Sequence, residues 1–322
     1  MPLITITNPA DPRIAEYVGV RESELRKGRF DAPGGLFVAE SELVVRRLIA
    51  SPYRTRSVLT THSRLRNIAD LESMLGPDVP IFCVDQSTMD GIVGFHIHRG
   101  LLAIGERGPE PSLDSLLARA RCAVVLEDLV NHDNLGGIFR NTAALAGGCF
   151  GDACILLSPR CADPLYRKSI RVSIGSALMV PFARLTEWPG DLHRIRRAGF
   201  YTLALTPSED AVDLVEIEAG LRASPKRIAI VLGTEGPGLS EDAAGSSDAR
   251  VRISMPGRRP EGSGSRRECQ GSVSTQGDGA GAEDCEKSVK AFAIGQGVDS
   301  LNVSVAGAIA LHRLFSHTPE NF

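Results

Sequence analysis

The sequence predicts an α/β protein of two domains, a small mixed unit followed by a larger one built on a mostly parallel sheet. Three observations carry this expectation. Short β-rich apolar runs alternate with stretches of helical period, as in parallel strands joined by covering helices. A chain of 322 residues is long enough for two hydrophobic cores. A breaker-rich stretch, Glu106-Arg107-Gly108-Pro109-Glu110-Pro111-Ser112, divides the first set of elements from the second.

The first unit is expected over residues 1–107. Gly35-Leu36-Phe37-Val38-Ala39 reads as a strand, and Ser41 as the cap of a helix running to Leu48. Ser57-Val58-Leu59-Thr60 and Pro80-Ile81-Phe82-Cys83-Val84 read as strands with a helix of period near 3.6 between them. Gly100-Leu101-Leu102-Ala103-Ile104-Gly105 completes the unit, and 108–120 is read as a linker. The second unit, 121–322, carries strand candidates at 122–127, 153–158, 178–183, 200–205, 228–233 and 250–254. Residues 258–296 break this pattern. They are rich in Gly, Ser and charge and poor in apolar side chains, and are expected to form a disordered insertion.

Composition narrows the function classes. An apolar share of 43% and a charged share of 23% are those of an ordinary globular chain. No apolar run is long enough to cross a bilayer, and MPLITITNPADPR lacks the order of a secretion signal, so a cytoplasmic protein without a membrane partner is expected. The 7 cysteines include no C-x-x-C pair, which suits small buried hydrophobes in a reducing compartment, and no metal is expected. His96 and His98 share a strand face but lack a third ligand. A net charge of −3 gives no global argument for nucleic acid. Arginines between Arg21 and Arg66 are nonetheless dense enough to form a local basic face.

Three segments end in polar residues or glycines just after an apolar run. In the first, Asp133 or Asn134 is expected to cap a helix, and Arg140 lies on the same face as Gly136 and Gly137. An arginine beside bare backbone suits a phosphate, and a surface salt bridge would explain it as well. The second, Val231-Leu232-Gly233-Thr234-Glu235-Gly236-Pro237-Gly238-Leu239, places a carboxylate in a tight loop at a strand's carboxyl end, where open α/β sheets hold ligands. The third, Ile253-Ser254-Met255-Pro256-Gly257, resumes after the insertion at Gly297. There Ser300 or Asn302 can cap a helix of small apolar residues.

Taken together, the three segments resemble the three motifs of the SpoU (TrmH-type) RNA 2′-O-methyltransferases of the SPOUT class. The first is Asn134-Leu135-Gly136-Gly137-Ile138-Phe139-Arg140-Asn141-Thr142-Ala143, the second the glycine loop above. The third is Ile253-Ser254-Met255-Pro256-Gly257 followed by Ser300-Leu301-Asn302-Val303-Ser304-Val305-Ala306. Arg167-Lys168-Ser169-Ile170-Arg171-Val172-Ser173-Ile174-Gly175-Ser176-Ala177 resembles the segment between the first two motifs, and residues 1–107 resemble the family's RNA-binding domain. The resemblance implies a trefoil-knotted methyltransferase domain, a homodimer, S-adenosylmethionine as cofactor, and rRNA or tRNA as substrate. It implies catalytic roles for Asn134, Arg140, Glu235, Ser300 and Asn302, and a cofactor lining of Leu232, Gly233, Ile253, Met255 and Leu301. Arg140 would position and help deprotonate the ribose 2′-hydroxyl; a side chain that ordinarily stays protonated is better suited to positioning. The insertion departs from the family pattern, and an RNA-binding or ribosome-assembly factor without catalysis is the alternative expectation.

Overall fold

Among the described residues, the parallel sheet that positions the candidate site has seven strands with a switch in strand order at its centre, and a smaller mixed sheet packs beside it. A computed structural model describes residues 3–19, 22–26, 31–32, 34–68, 70–93, 100–147, 152–223, 227–255 and 300–315. The expected insertion, Gly257, Gly297, His96, His98 and three of the cysteines (Cys149, Cys269 and Cys285) lie outside these residues.

The first part of the chain runs β1 (Leu3–Thr5), α1 (Glu22–Arg26), β2 (Leu36–Glu40), α2 (Glu42–Ala50), β3 (Arg54–Thr61), α3 (Leu71–Met74), β4 (Ile81–Val84), α4 (Gln86–Val93) and β5 (Leu101–Glu106). Among the described residues its sheet has the order β1-β4-β3-β5-β2. β1, β4 and β3 are parallel, and β5 runs antiparallel to both β3 and β2. The helix expected between the strands at 57–60 and 80–84 is instead a 3-10 turn, His62–Ile68, followed by the single turn α3. Ile68, Leu71 and Leu75 are all buried, so the helical spacing is real while the backbone delivering it is broken.

The second part continues α5 (Leu113–Arg119), β6 (Cys122–Leu126), α6 (His132–Leu145), β7 (Ala153–Leu157), α7 (Arg167–Val172), β8 (Phe182–Arg184), α8 (Asp191–Arg197), β9 (Phe200–Leu205), β10 (Val212–Asp213), α9 (Leu214–Ala223), β11 (Arg227–Leu232), α10 (Glu241–Ser246), β12 (Ala249–Arg252) and α11 (Val303–Phe315). Its sheet order is β10-β12-β9-β11-β6-β7-β8, parallel throughout. β6 and β7 are buried at every residue, as strands covered on both faces must be. Part of the segment read as linker, 113–119, is α5, whose Leu113, Leu116 and Leu117 are buried.

The strand expected at 178–183 begins only at Phe182. Ser176–Leu178 is a 3-10 turn, and Leu178 and Val180 fill the core from a loop. A short apolar run does not by itself distinguish a strand from a buried turn. The α6 cap also differs. Asn131 takes that place, its Oδ1 accepting from the N–H groups of Asp133 (2.8 Å) and Asn134 (3.4 Å), so Asp133 and Asn134 fall inside the first turn. Of the cysteines, Cys83, Cys122, Cys154 and Cys161 are buried free thiols, the packing role expected of them. Among the described residues, no helix is long and apolar enough to cross a membrane.

A continuous apolar core joins the two sheets, running from Val44, Val45 and Leu48 on α2 to Leu135 and Phe139 on α6. Polar contacts cross the same junction. Arg47 donates to the Ile174 carbonyl (2.6 Å), and Arg107 pairs with buried Asp163 (2.7 Å). Within the first part of the chain, several arginines of the expected basic face are neutralised, as Arg46 is by Glu42 and Asp70 and Arg56 by Glu16 and Glu106.

Half-buried Glu22 accepts from the Arg167 N–H at the start of α7 (2.8 Å). Burial pushes its carboxyl up from 4.5 to about 7, against the opposing pull of the Arg167 N–H and charge. The folded chain therefore binds this proton more tightly than the unfolded chain, and the stability it contributes is lost as pH rises between those two values. Glu22→Gln keeps a carbonyl acceptor for Arg167 without the charge. It should raise stability near pH 8 by on the order of 1 kcal/mol, discounted for partial exposure, and leave it little changed near pH 4. Melting curves at the two pH values check this: equal changes at both would contradict it.

Candidate active site

The loop after β11 is held at both ends. Inside it, the Gly238 N–H donates to the Thr234 carbonyl (3.2 Å), closing a tight turn. At its far end Ser240 is tied to Glu127, which follows β6 and is only 5% exposed. Glu127 accepts from the Ser240 N–H (2.7 Å), the Ser240 hydroxyl (2.6 Å) and the Trp188 indole N–H (2.6 Å). Gly233 lies so close to Gly238 that any Cβ there would overlap the Gly238 carbonyl group and the Leu239 nitrogen.

This loop forms one wall of a cavity of about 380 Å³ at the carboxyl ends of β9, β11 and β12, beside the switch in strand order. All five residues expected to line a cofactor, Leu232, Gly233, Ile253, Met255 and Leu301, line it. Glu235, Ser300 and Asn302 supply polar groups at the same cavity. Leu205, Thr206 and Pro207 form a further wall that sequence reasoning did not single out. The sequence carries a signal for them: Leu205 ends a predicted strand that pairs with β11, and Thr206 and Pro207 follow it.

Asn302 organises the polar side of the site. Its Oδ1 accepts from the Ser304 N–H (3.0 Å) and the Val305 N–H (3.3 Å), capping α11 as expected. Its Nδ2 donates to Asn134 Oδ1 (2.9 Å) and to Glu235 Oε1 (2.8 Å). One carboxamide thus joins residues of all three sequence segments. Asn134 is 6% exposed, and its own Nδ2 has no hydrogen-bond partner among the described residues. A buried donor left unpaired is costly, so it marks where an acceptor can be taken up.

Arg140 stands apart from this group. It is exposed, does not line the cavity, and among the described residues has no ion pair or hydrogen bond. The bare face formed by Gly136 and Gly137 is filled by protein. A Cβ on Gly136 would press on Ser169 and Val172 of α7, and one on Gly137 would overlap the Ser304 hydroxyl of α11. Asn141, next to Arg140, donates to the Ser304 carbonyl (2.9 Å) and locks the two helices together. Among the described residues no group of three His, Cys, Asp or Glu side chains is arranged to hold a metal.

Fold and cavity define an α/β protein with a ligand site on the carboxyl edge of a parallel sheet. Residues 121–260 match the SpoU rRNA Methylase family. A Mycobacterium tuberculosis protein named as an uncharacterized tRNA/rRNA methyltransferase is 40% identical over 252 residues, covering 78% of this chain and 83% of the relative. The chain therefore belongs to the SpoU methylase family. The fold is that of the AdoMet-bound rRNA methyltransferase from Sinorhizobium meliloti, with a TM-score of 0.69 at 19% identity over 99% of both chains. A structure described as an RNA 2′-O ribose methyltransferase aligns with a TM-score of 0.62 at 20% identity, covering 97% of this chain and 98% of the other.

Gly233→Ala should destabilise the protein by about 1–3 kcal/mol, because the loop cannot yield without moving Gly238. It should also distort the cavity while leaving the sheet intact. Thermal melting and circular dichroism check this, and a variant as stable as the parent would show that the loop is not tightly packed.

Proposed function

We propose that the protein is an S-adenosylmethionine-dependent methyltransferase acting on a ribose 2′-hydroxyl of rRNA or tRNA. The observation that carries this reading is the Asn302 bridge to Asn134 and Glu235 at the mouth of the cavity. Family membership and the names of the relatives point the same way.

The cavity fits the cofactor in size and character, being an apolar chamber with loop backbone on one side. Leu232, Gly233, Ile253, Met255 and Leu301 would hold S-adenosylmethionine, partly through backbone groups. When bound, its sulfonium supplies an activated methyl group for the ribose oxygen. The chain's own task is alignment. The unpartnered Nδ2 of Asn134 can donate to a ribose oxygen brought against it, and Asn302 fixes the orientation of the Asn134 carboxamide. Glu235, held by the same Nδ2, offers a carboxylate acceptor near the hydroxyl proton, and Ser300 a hydroxyl at the rim. Arg140, exposed and without an acidic partner among the described residues, provides a fork for the RNA phosphate rather than a base.

The larger reading follows the family. Residues 1–107 form the RNA-binding unit, 108–120 the connection, and 121–322 a methyltransferase domain knotted through its third motif. The protein works as a cytoplasmic homodimer, and exposed Val305 at the start of α11 is a surface such a dimer would cover. A non-catalytic RNA-binding factor is the second reading. It is favoured by the position of the insertion, which joins Met255 to Ser300, two residues lining the cavity.

Calorimetry with S-adenosylmethionine separates the two readings: the first requires saturable binding, and no binding would leave only the second. Arg140→Ala should lower methyl transfer to bulk tRNA or rRNA by roughly a hundredfold or more with cofactor affinity unchanged, as expected for lost positioning of one reactant. A fully active variant would remove Arg140 from the mechanism.

A further inference from the structure

A second cavity, of about 550 Å³, lies on the same carboxyl edge of the parallel sheet, at the ends of β6, β7 and β8. Its lining differs from the first. Arg26, His132, Asp163, Tyr166 and Arg184 face it, with Val130 at the rim. The His132 and Tyr166 rings lie 4.3 Å apart at a tilt of 41°, forming an aromatic wall. Arg184 donates to the carbonyls of Cys161 (3.0 Å) and Ala162 (3.4 Å), which fixes the plane of its guanidinium. Among the described residues no carboxylate pairs with it. Asp163, the acid in the cavity, is already engaged by Arg107 (2.7 Å) and Arg26 (3.2 Å). Val130 is 62% exposed although apolar.

We infer that this cavity is a nucleotide subsite, which takes one unstacked base and its phosphate from a single-stranded stretch of the RNA beside the methylated residue. The inference rests on the reading of the protein as an RNA methyltransferase and specifies how it grips its substrate. An aromatic pair next to fixed arginines is the chemistry that receives a splayed-out base with its phosphate. Burial and the neighbouring Lys168 ammonium hold the His132 imidazole below its ordinary range, so near neutral pH the ring is uncharged and can meet a base face or edge. The placement supports the same conclusion. His132 opens α6 and lines this cavity, whereas Asn134, two residues further along the same first turn, accepts from Asn302 on the side of the first cavity. A ribose at Asn134 thus has this cavity within reach of an adjoining nucleotide. A cleft that served packing alone would have no need to leave Val130 bare and Arg184 without an acid.

The test uses the full chain and its Tyr166→Ala, Tyr166→Phe and Arg184→Met variants. Affinity is measured by fluorescence anisotropy for bulk tRNA, for a mixed-sequence single-stranded oligoribonucleotide and for an RNA duplex, with calorimetry against S-adenosylmethionine in parallel. Tyr166→Ala should weaken single-strand binding about tenfold, the order expected for one lost stacking partner. Tyr166→Phe should bind as the parent does, because the ring and not the hydroxyl carries stacking. Cofactor affinity should be the same in all four proteins. In the parent, the His132 ring resonances should shift on adding the oligoribonucleotide. Unchanged single-strand affinity in both Tyr166→Ala and Arg184→Met, a duplex bound as tightly as the single strand, or static His132 resonances with RNA bound would each overturn the subsite. A parent that binds the cofactor but no RNA would overturn the RNA reading and the subsite with it. A parent that binds RNA but no cofactor would overturn the methyltransferase reading, and with it the place beside a methylated residue, while the variants would still decide whether the cavity holds an RNA nucleotide.

Discussion

The site depends on the side chain of Asn302. Through its oxygen it starts α11, and through its nitrogen it holds Asn134 and Glu235. These residues come from distant parts of the chain, so the bridge ties the end of the fold to its middle. The residue type is dictated by its partners. A carboxylate could cap the helix but not donate to two acceptors, and an alanine could do neither. Replacing an Asn cap with alanine costs about 0.5–2 kcal/mol by itself. The greater consequence is local, since Asn134 would then be buried with its carboxamide wholly unpaired.

The parallel sheet supplies the platform for this bridge. Its order switches between β6 and β11, and the two cavities open on either side of that switch. One is apolar and walled by loop backbone; the other is lined by arginines and aromatic rings. Glu127 joins the halves, lying at the end of β6 while anchoring the loop that follows β11. The mixed sheet is not an appendage to this arrangement. Glu22, Glu40 and Arg107 reach from it to α7 and to Asp163, the ground on which the second cavity is built.

How far the sequence was legible can be argued from particular elements. β6 and β11 were readable because each is an unbroken apolar run ending in polar residues, a pattern that few structures other than a covered strand satisfy. The run at 178–183 satisfied the same pattern and yet is mostly a buried turn, since burial and not hydrogen bonding makes such a run apolar. The α6 cap is ambiguous in the sequence because Asn131, Asp133 and Asn134 all have suitable side chains, and only the backbone selects among them. In the site, the residues that gather at the first cavity lie at the ends of β9, β11 and β12, in the loop after β11 and at the start of α11. Polar residues and glycines next to apolar runs make these places visible in the sequence. Arg140 was placed with Gly136 and Gly137 by helical spacing, but spacing could not reveal that α7 and α11 occupy that face. The second cavity was not legible at all. It is assembled from four separated segments, and none carries an unusual pattern of its own.

The central claim is that a methyl group is delivered to ribose oxygen and not to a base. The most direct measurement incubates the purified chain with S-adenosylmethionine carrying a labelled methyl group and with rRNA and tRNA from cells lacking the protein. Alkaline hydrolysis follows, because a methylated 2′-oxygen cannot attack the adjoining phosphate and leaves that linkage intact. The account predicts label in alkali-resistant dinucleotides. Label in mononucleotides would place the methyl on a base, and no label in either RNA would contradict the assignment of the reaction.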